Sequence, residues 1–277
     1  LGALTTGDNN VAVGLNALDL NTTGGANTAV GACALLNNTT GVDNIAIGCC
    51  ALHANTDTSE NVAIGNFALR SNDNTNSVAI GFKALCANTT GANNTAVGTN
   101  SLDGNTTASN NTAVGKSSLG ANTTGCENTA IGKDAMLATT TGIRNVAVGK
   151  GALKTNTTGD ANVAIGREAL GVATTADNNT SVGFDSMQAN TTGANNTSMG
   201  MCSLFANTTG SNNVALGLEA GKNITTGVKN VAIGNYSVHE NQTAEQNVGI
   251  GDAALYQSLA GCNTAIGAEA GNRTTSG

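Results

Sequence analysis

Short segments in which β-branched and small residues alternate recur along the whole chain. Asn10-Val11-Ala12-Val13-Gly14 returns as Asn27-Thr28-Ala29-Val30-Gly31 and as Asn44-Ile45-Ala46-Ile47-Gly48. A β-branched residue on each side of an alanine has the period of two that is typical of a strand with two different faces. Frequent Gly, Asn and Thr oppose a helix. Each segment therefore predicts a short β-strand that ends at a glycine.

The closing glycine sets the period of the repeat. Thirteen of its fifteen intervals are 17 residues long, and two are 16 residues long, Gly65 to Gly81 and Gly251 to Gly267. The sequence therefore predicts one repeat array over residues 1–277, without separate domains. We call this glycine position 0, count other positions from it, and number the coils 1 to 16 in chain order. The sixteen glycines are Gly14, Gly31, Gly48, Gly65, Gly81, Gly98, Gly115, Gly132, Gly149, Gly166, Gly183, Gly200, Gly217, Gly234, Gly251 and Gly267.

Most positions of the repeat carry one kind of residue. Position −1 is always Val, Ile, Leu or Met, position −3 is Val, Ile or Thr, and position +3 is Ala or Ser. Position +4 is mostly Leu, and an Asn-Thr-Thr-Gly turn usually begins at +7. One repeat cannot bury its own apolar side chains, but stacked repeats do so. We expect an all-β parallel β-solenoid (β-roll) of about 16 coils, about 4.8 Å apart, with Val, Ile and Leu in its core.

Asparagine also falls in register. Asn10, Asn27, Asn44 and Asn61 all stand at position −4, so stacking predicts a ladder of side-chain amides. The chain contains no Pro, which would remove a backbone donor from such a stack. The Asn-Thr-Thr turns also match the N-glycosylation sequon, but we favour their role as turn residues.

Composition narrows the classes of function. The net charge is −7 and aromatic residues make up 2% of the chain, which opposes nucleic-acid binding and an ordinary enzyme core. No apolar run is long enough for a membrane span, and no catalytic or cofactor motif appears. We expect a non-catalytic protein with no cofactor, no bound metal, no nucleic-acid partner and no membrane insertion.

Two motifs resemble known fibre repeats. Asn76-Ser77-Val78-Ala79-Ile80-Gly81 resembles the head repeat of trimeric autotransporter adhesins, the YadA-like heads. The longer unit, NTAVGxxALxANTTGxN, resembles the repeats of bacteriophage and other viral tail fibres. The resemblance implies a left-handed roll, a homotrimer, and a structural shaft outside the cell, on a cell surface, a filament or a virion. A host-surface glycan would then be bound by a region outside this chain.

The mode of assembly has several alternatives. We expect a homotrimer that meets through the flat Ala, Ser and Gly face of the coils. Because the sequence starts and stops within a repeat, a segment of a longer fibre is favoured, and an extracellular filament of coils stacked end to end is the alternative. Ice binding is less favoured, since Thr22 and Thr23 are adjacent and alternation sends them to opposite sides.

Seven cysteines allow one disulfide by register. Cys33 and Cys50 share position +2 in neighbouring coils, within reach of a bridge, but scattered free thiols are the favoured interpretation. Cys49 is expected on the face opposite Cys50. Cys126 and Cys262 share position +11 but lie eight coils apart.

Four cations stand in one column. Lys116, Lys133, Lys150 and Arg167 occupy position +1 of coils 7 to 10. The column predicts either a docking line for an anionic polymer, such as a surface polysaccharide, or a solvated edge relieved by Asp134 and Glu168. The aromatic residues fall at varied positions, and we expect them to form no stacking platform.

Overall fold

The computed structural model describes residues 2–3 and 5–273, which form a parallel β-solenoid with sixteen short strands and a 17-residue spacing. The fold-class prediction is therefore confirmed, while the left-handed sense stays a prediction.

The chain divides into two compact units, Leu1–Thr141 and Gly142–Gly277. Both contain the same repeat. Strands of the first unit are β1 Val11–Val13, β2 Thr28–Val30, β3 Ile45–Ile47, β4 Val62–Ile64, β5 Val78–Ile80, β6 Thr95–Val97, β7 Thr112–Val114 and β8 Thr129–Ile131. Strands of the second unit are β9 Val146–Val148, β10 Val163–Ile165, β11 Thr180–Val182, β12 Thr197–Met199, β13 Val214–Leu216, β14 Val231–Ile233, β15 Val248–Ile250 and β16 Thr264–Ile266.

Within each unit the strands pair in chain order, parallel and in register. Ala12 lies beside Ala29, and the same column continues in every later pair. The register survives the first 16-residue coil, where Ala63 pairs with Ala79. The missing residue therefore falls in the turn after position +7, outside the strand. Among the described residues no helix is long and apolar enough to cross a membrane.

The core differs from the sequence expectation in which side of the strand faces inward. The strand alanine is buried, as at Ala29 with 0% exposure, while Val13 is 57% exposed and Ile131 is 41% exposed. The predicted core of Val, Ile and Leu is thus wrong for Val and Ile. The buried side chains are instead Leu or Met at +4 together with the small residues at −2 and +3.

The physical reason is the thinness of the coil. At Gly249, which replaces the strand alanine of coil 15, an added Cβ would lie 2.7 Å from Val238 Cγ2. Where Val stands at +4, even a methyl group at −2 meets a neighbour. A Val or Ile side chain at this inward position has no room, so the larger residues of the strand face outward.

The predicted asparagine ladder is present. Asn44 Nδ2 donates to Asn27 Oδ1 at 3.1 Å, and the same oxygen accepts the Asn44 backbone N–H at 3.0 Å. A second ladder runs through position +7, where Asn38 Nδ2 donates to Asn21 Oδ1 at 2.9 Å and to Gly41 O at 3.0 Å. The sequon amides at Asn21 and Asn38 are buried and serve the turn, as the sequence interpretation favoured.

Candidate ligand-binding face

Positions +1, +2, +5 and +6 carry different residues in different coils, and we call them the variable face. Side chains at +1, +2 and +5 contact one another within a coil and across neighbouring coils. This face holds five of the seven cysteines and every aromatic residue of the chain. The aromatic residues are Phe67, Phe82, Phe184, Phe205, Tyr236 and Tyr256.

The first cluster on the variable face lies at coils 4 and 5. The Phe67 and Phe82 rings meet edge to face, with centroids 6.2 Å apart and planes at 80°. Arg70 Cζ lies 5.8 Å from the Phe67 centroid, and Lys83 Nζ lies 5.4 Å from the Phe82 centroid. The sequence analysis expected no stacking platform and did not foresee this pair, which forms because stacking of the coils brings positions +1 and +2 of neighbouring coils together.

A cavity of about 450 Å³ opens beside this cluster, lined by Phe67, Arg70, Lys83, Cys86 and Asp103. Cys86 and Asp103 are half-buried at its wall. Burial raises the pKa of the Cys86 thiol and the pKa of the Asp103 carboxyl. Arg70 and Lys83 are exposed at its rim, and the described residues provide an ion pair within 4 Å for neither. The site thus joins two cations that form no ion pair within 4 Å, an aromatic ring and a carboxyl group.

A second cluster lies at coils 13 to 15. The His239 ring stacks on Tyr256 with centroids 4.8 Å apart and planes at 2°. Its Nε2 lies 3.1 Å from Glu219 Oε2, and its Nδ1 lies 2.9 Å from Glu240 Oε1. Lys222 Nζ lies 3.1 Å from Glu219 Oε1. The Lys222 hydrogen bond, with that of His239, lowers the pKa of Glu219.

These polar contacts satisfy one another, which makes the second cluster a closed network. A cavity of about 570 Å³ lies next to it, lined by the turn of coil 14 and by Gln257, Leu259 and Arg273. Leu259 belongs to the second 16-residue coil, and its turn is shorter than that of coil 14.

The cysteines depart from the expectation in one respect. Cys33 and Cys50 stand in neighbouring coils, and the structure holds both as free thiols. Cys49 Sγ lies 3.6 Å from Cys50 Sγ, so the prediction that they occupy opposite faces is wrong. Strand alternation ends at the position 0 glycine, and the left-handed backbone at Cys50, with φ of 54°, turns both side chains to one side.

The four predicted cations lie exposed at position +1, as the sequence placed them. Lys116 and Lys133 belong to the first unit, and Lys150 and Arg167 belong to the second. Lys133 Nζ lies 3.6 Å from Asp134 Oδ2, as expected for a relieved edge. The sequence analysis expected Glu168 to offset the positive charge of this column. Arg167 instead contacts an aromatic ring, with its Cζ 5.1 Å over the Phe184 ring.

No three His, Cys, Asp or Glu side chains among the described residues are grouped so that they could hold a metal ion. Comparison of the chain with protein-family models and with curated proteins finds no match.

Proposed function

We propose that this chain is a structural segment of an extracellular attachment fibre, of the kind found in viral tail fibres and bacterial surface adhesins, and that copies of it associate side by side as a homotrimer. The observation that carries the proposal is the residue at position −1. It is apolar in all sixteen coils, yet it is half-exposed or exposed in every one.

The fold itself gives no reason for this regularity. The repeated Leu fills the core, the repeated Asn forms ladders, and the repeated Gly permits close stacking. An outward side chain at −1 does none of these. Together with Val, Ile or Thr at −3, it makes an uncharged, largely apolar stripe along the sheet of each unit. Stripes of this kind mark contact surfaces in soluble proteins.

The repeat of the stripe argues for a second copy of the same chain as its partner. An apolar residue at −1, beside Val, Ile or Thr at −3, recurs at each step of about 4.8 Å, so a partner must repeat with the same step to fill the stripe along its length. A parallel copy in register does so, and neither stripe carries a charge that would repel the other. Three copies around one axis cover all three stripes.

This proposal moves the contact surface from where the sequence placed it. The sequence analysis expected copies to meet through Ala, Ser and Gly, but those side chains lie inside the coil. The alternation of the strand gives two faces, and the outward one is the Val and Ile face. The trimer therefore remains the proposal, with positions −1 and −3 as its interface.

The mass in solution tests this proposal. Light scattering over a range of protein concentrations is expected to give a constant mass of three times 27.1 kDa. The variant Val97→Lys with Val114→Lys places charges in the stripe of two adjacent coils, and we expect it to fall to a single chain mass with unchanged circular dichroism.

A matched control carries the same added charge elsewhere. Ala32→Lys with Thr99→Lys changes two exposed +1 positions, and we expect it to keep the wild-type mass. A wild-type mass of one chain at every concentration would refute side-by-side association. A mass that grows with concentration would favour end-to-end filaments, and these should survive the Val97 and Val114 changes.

A further inference from the structure

We propose that the cavity at coils 4 to 6 binds an acidic sugar residue of an anionic glycan, with its carboxylate on Arg70 and Lys83 and its ring against Phe67. This binding site would suit an attachment fibre, but the argument for it uses no part of the trimer proposal. It also places glycan recognition on this chain instead of on a region outside it.

The charge of the site is the first step of the argument. The chain as a whole carries −7, yet two cations flank this cavity against one acidic lining residue, Asp103, and no described residue forms an ion pair within 4 Å with either cation. The Phe67 ring holds the Arg70 guanidinium in place, which reduces the entropy that Arg70 loses when it binds. A guanidinium pairs a carboxylate through two parallel hydrogen bonds.

The apolar wall is the second step. Phe67 lines the cavity, and the faces of an aromatic ring carry partial negative charge that attracts the polarised C–H groups on the apolar side of a pyranose. The volume, about 450 Å³, lies within the usual range for small-molecule sites, roughly 300–1,000 Å³. One sugar residue with part of its neighbours fits this space.

Asp103 makes the site selective against simple anions. Its half-buried carboxylate lies in the same cavity as the two cations. A carboxylate repels phosphate or sulfate but accepts hydrogen bonds from hydroxyl groups. A ligand that carries both a carboxylate and hydroxyls satisfies both kinds of group. Sugar acids are ligands of this type.

The same unit holds further cations that a longer glycan chain would contact. Lys116 and Lys133 are exposed on the variable face of coils 7 and 8, a few steps of about 4.8 Å beyond coil 5. Further acidic residues of a chain that lies along the coils would meet these cations. We therefore expect affinity to rise with the length of the glycan and to fall with salt.

The test uses trigalacturonate as the acidic probe and its methyl ester as the matched neutral probe. Calorimetry on the full chain should show saturable binding of the acid and at least tenfold weaker binding of the ester. Arg70→Gln with Lys83→Gln should weaken binding of the acid at least tenfold. Lys229→Gln removes an exposed cation away from the variable face and should leave binding unchanged.

Cys86 supplies a second readout that needs no variant. Its thiol lines the cavity, so bound trigalacturonate should slow its alkylation several-fold, as measured by peptide mass spectrometry. The exposed Cys262 should react at the same rate with and without the sugar. Absence of saturation at about 10 mM, equal binding of the ester, unchanged affinity of the Arg70 and Lys83 variant, or equal protection of Cys86 by inorganic phosphate would each overturn the proposal.

Discussion

The fixed positions of the coil and its variable face obey different physical constraints. At position 0, an added Cβ on Gly98 would lie 2.6 Å from the backbone oxygen of Gly115. On the variable face, an added Cβ on Gly120 would meet nothing closer than Leu137 Cδ1 at 3.4 Å. A column that touches the backbone of the next coil must repeat in every coil. The columns of the variable face are less constrained by that backbone and are free to vary, and they hold the two side-chain clusters.

The largest expected change in the free energy of unfolding comes from comparing the same substitution at these two glycines. Gly98 has a φ of +138° and stacks on the next backbone, so Gly98→Ala should cost about 3–5 kcal/mol of unfolding free energy. Gly120→Ala adds a methyl group at ordinary van der Waals distance from its neighbours, and we expect a change of less than about 1 kcal/mol. Denaturant unfolding followed by circular dichroism measures both. Similar losses for the two variants would contradict the distinction.

In coil 13, two of the otherwise fixed positions both differ from the usual residue of the repeat. Gly221 stands where Leu is usual, and Ile224 stands where the +7 ladder has Asn. Ile224 fills the space of the missing Leu, since an added Cβ on Gly221 would lie 3.0 Å from Ile224 Cδ1. The ladder is broken as a result, and Asn207 Oδ1 and Asn241 Nδ2 are buried without a hydrogen-bond partner.

A double-mutant cycle at this coil should give a strong coupling energy. Gly221→Leu alone should clash with Ile224, and Ile224→Asn alone should leave a cavity, each costing about 1–3 kcal/mol. The double variant restores both the core and the ladder and should be at least as stable as wild type, which corresponds to a coupling equal to the sum of the single losses, about 2–6 kcal/mol. Additive losses in urea unfolding would show that the two positions are independent.

One residue of the −4 column is not asparagine, and restoring asparagine there should raise the free energy of unfolding. Ser77 replaces Asn, and its Oγ is buried without a hydrogen-bond partner. Ser77→Asn should let the new amide donate to the turn of the next coil, as Asn61 Nδ2 does to Asn74 O at 2.9 Å. We expect a gain of about 1 kcal/mol in urea unfolding. Ser77→Ala, which only removes the hydroxyl, is the control. An equal gain in stability from Ser77→Ala would show that the gain comes from removing the buried, unpaired hydroxyl and not from the new hydrogen bond.

The smallest effect concerns the charged network on the variable face. Because the pKa of Glu219 is lowered in the folded chain, its contribution to stability is present above the ordinary pKa of about 4.3 and is lost as the pH falls through the lowered value. The side chain is 22% exposed, so solvent reduces the contribution to a few tenths of a kcal/mol. Glu219→Gln should remove this part of the pH dependence in thermal unfolding between pH 6 and 3, while Glu245→Gln at an exposed turn should not.

Much of the fold was accessible from the sequence because its signals are local and repeated sixteen times. The glycine spacing gave the coil length, and the Val-Ala-Val pattern gave strands with the bounds seen at β1 and β9. The Asn10 to Asn61 register predicted the −4 ladder. The candidate site was less accessible, because Phe67, Arg70, Lys83 and Asp103 come from three coils and share no motif.

The sequence by itself determined the parallel solenoid, its period and its −4 asparagine ladder, since stacking in register is the one arrangement that buries every repeat. Only the tertiary structure decided which face of each strand is inside, because alternation distinguishes two faces without ordering them. The limited space beside the +4 side chain made that choice in favour of Ala. The packing of neighbouring coils likewise decided that Cys49 lies beside Cys50 and that Phe67 meets Phe82 next to an open, positively charged cavity.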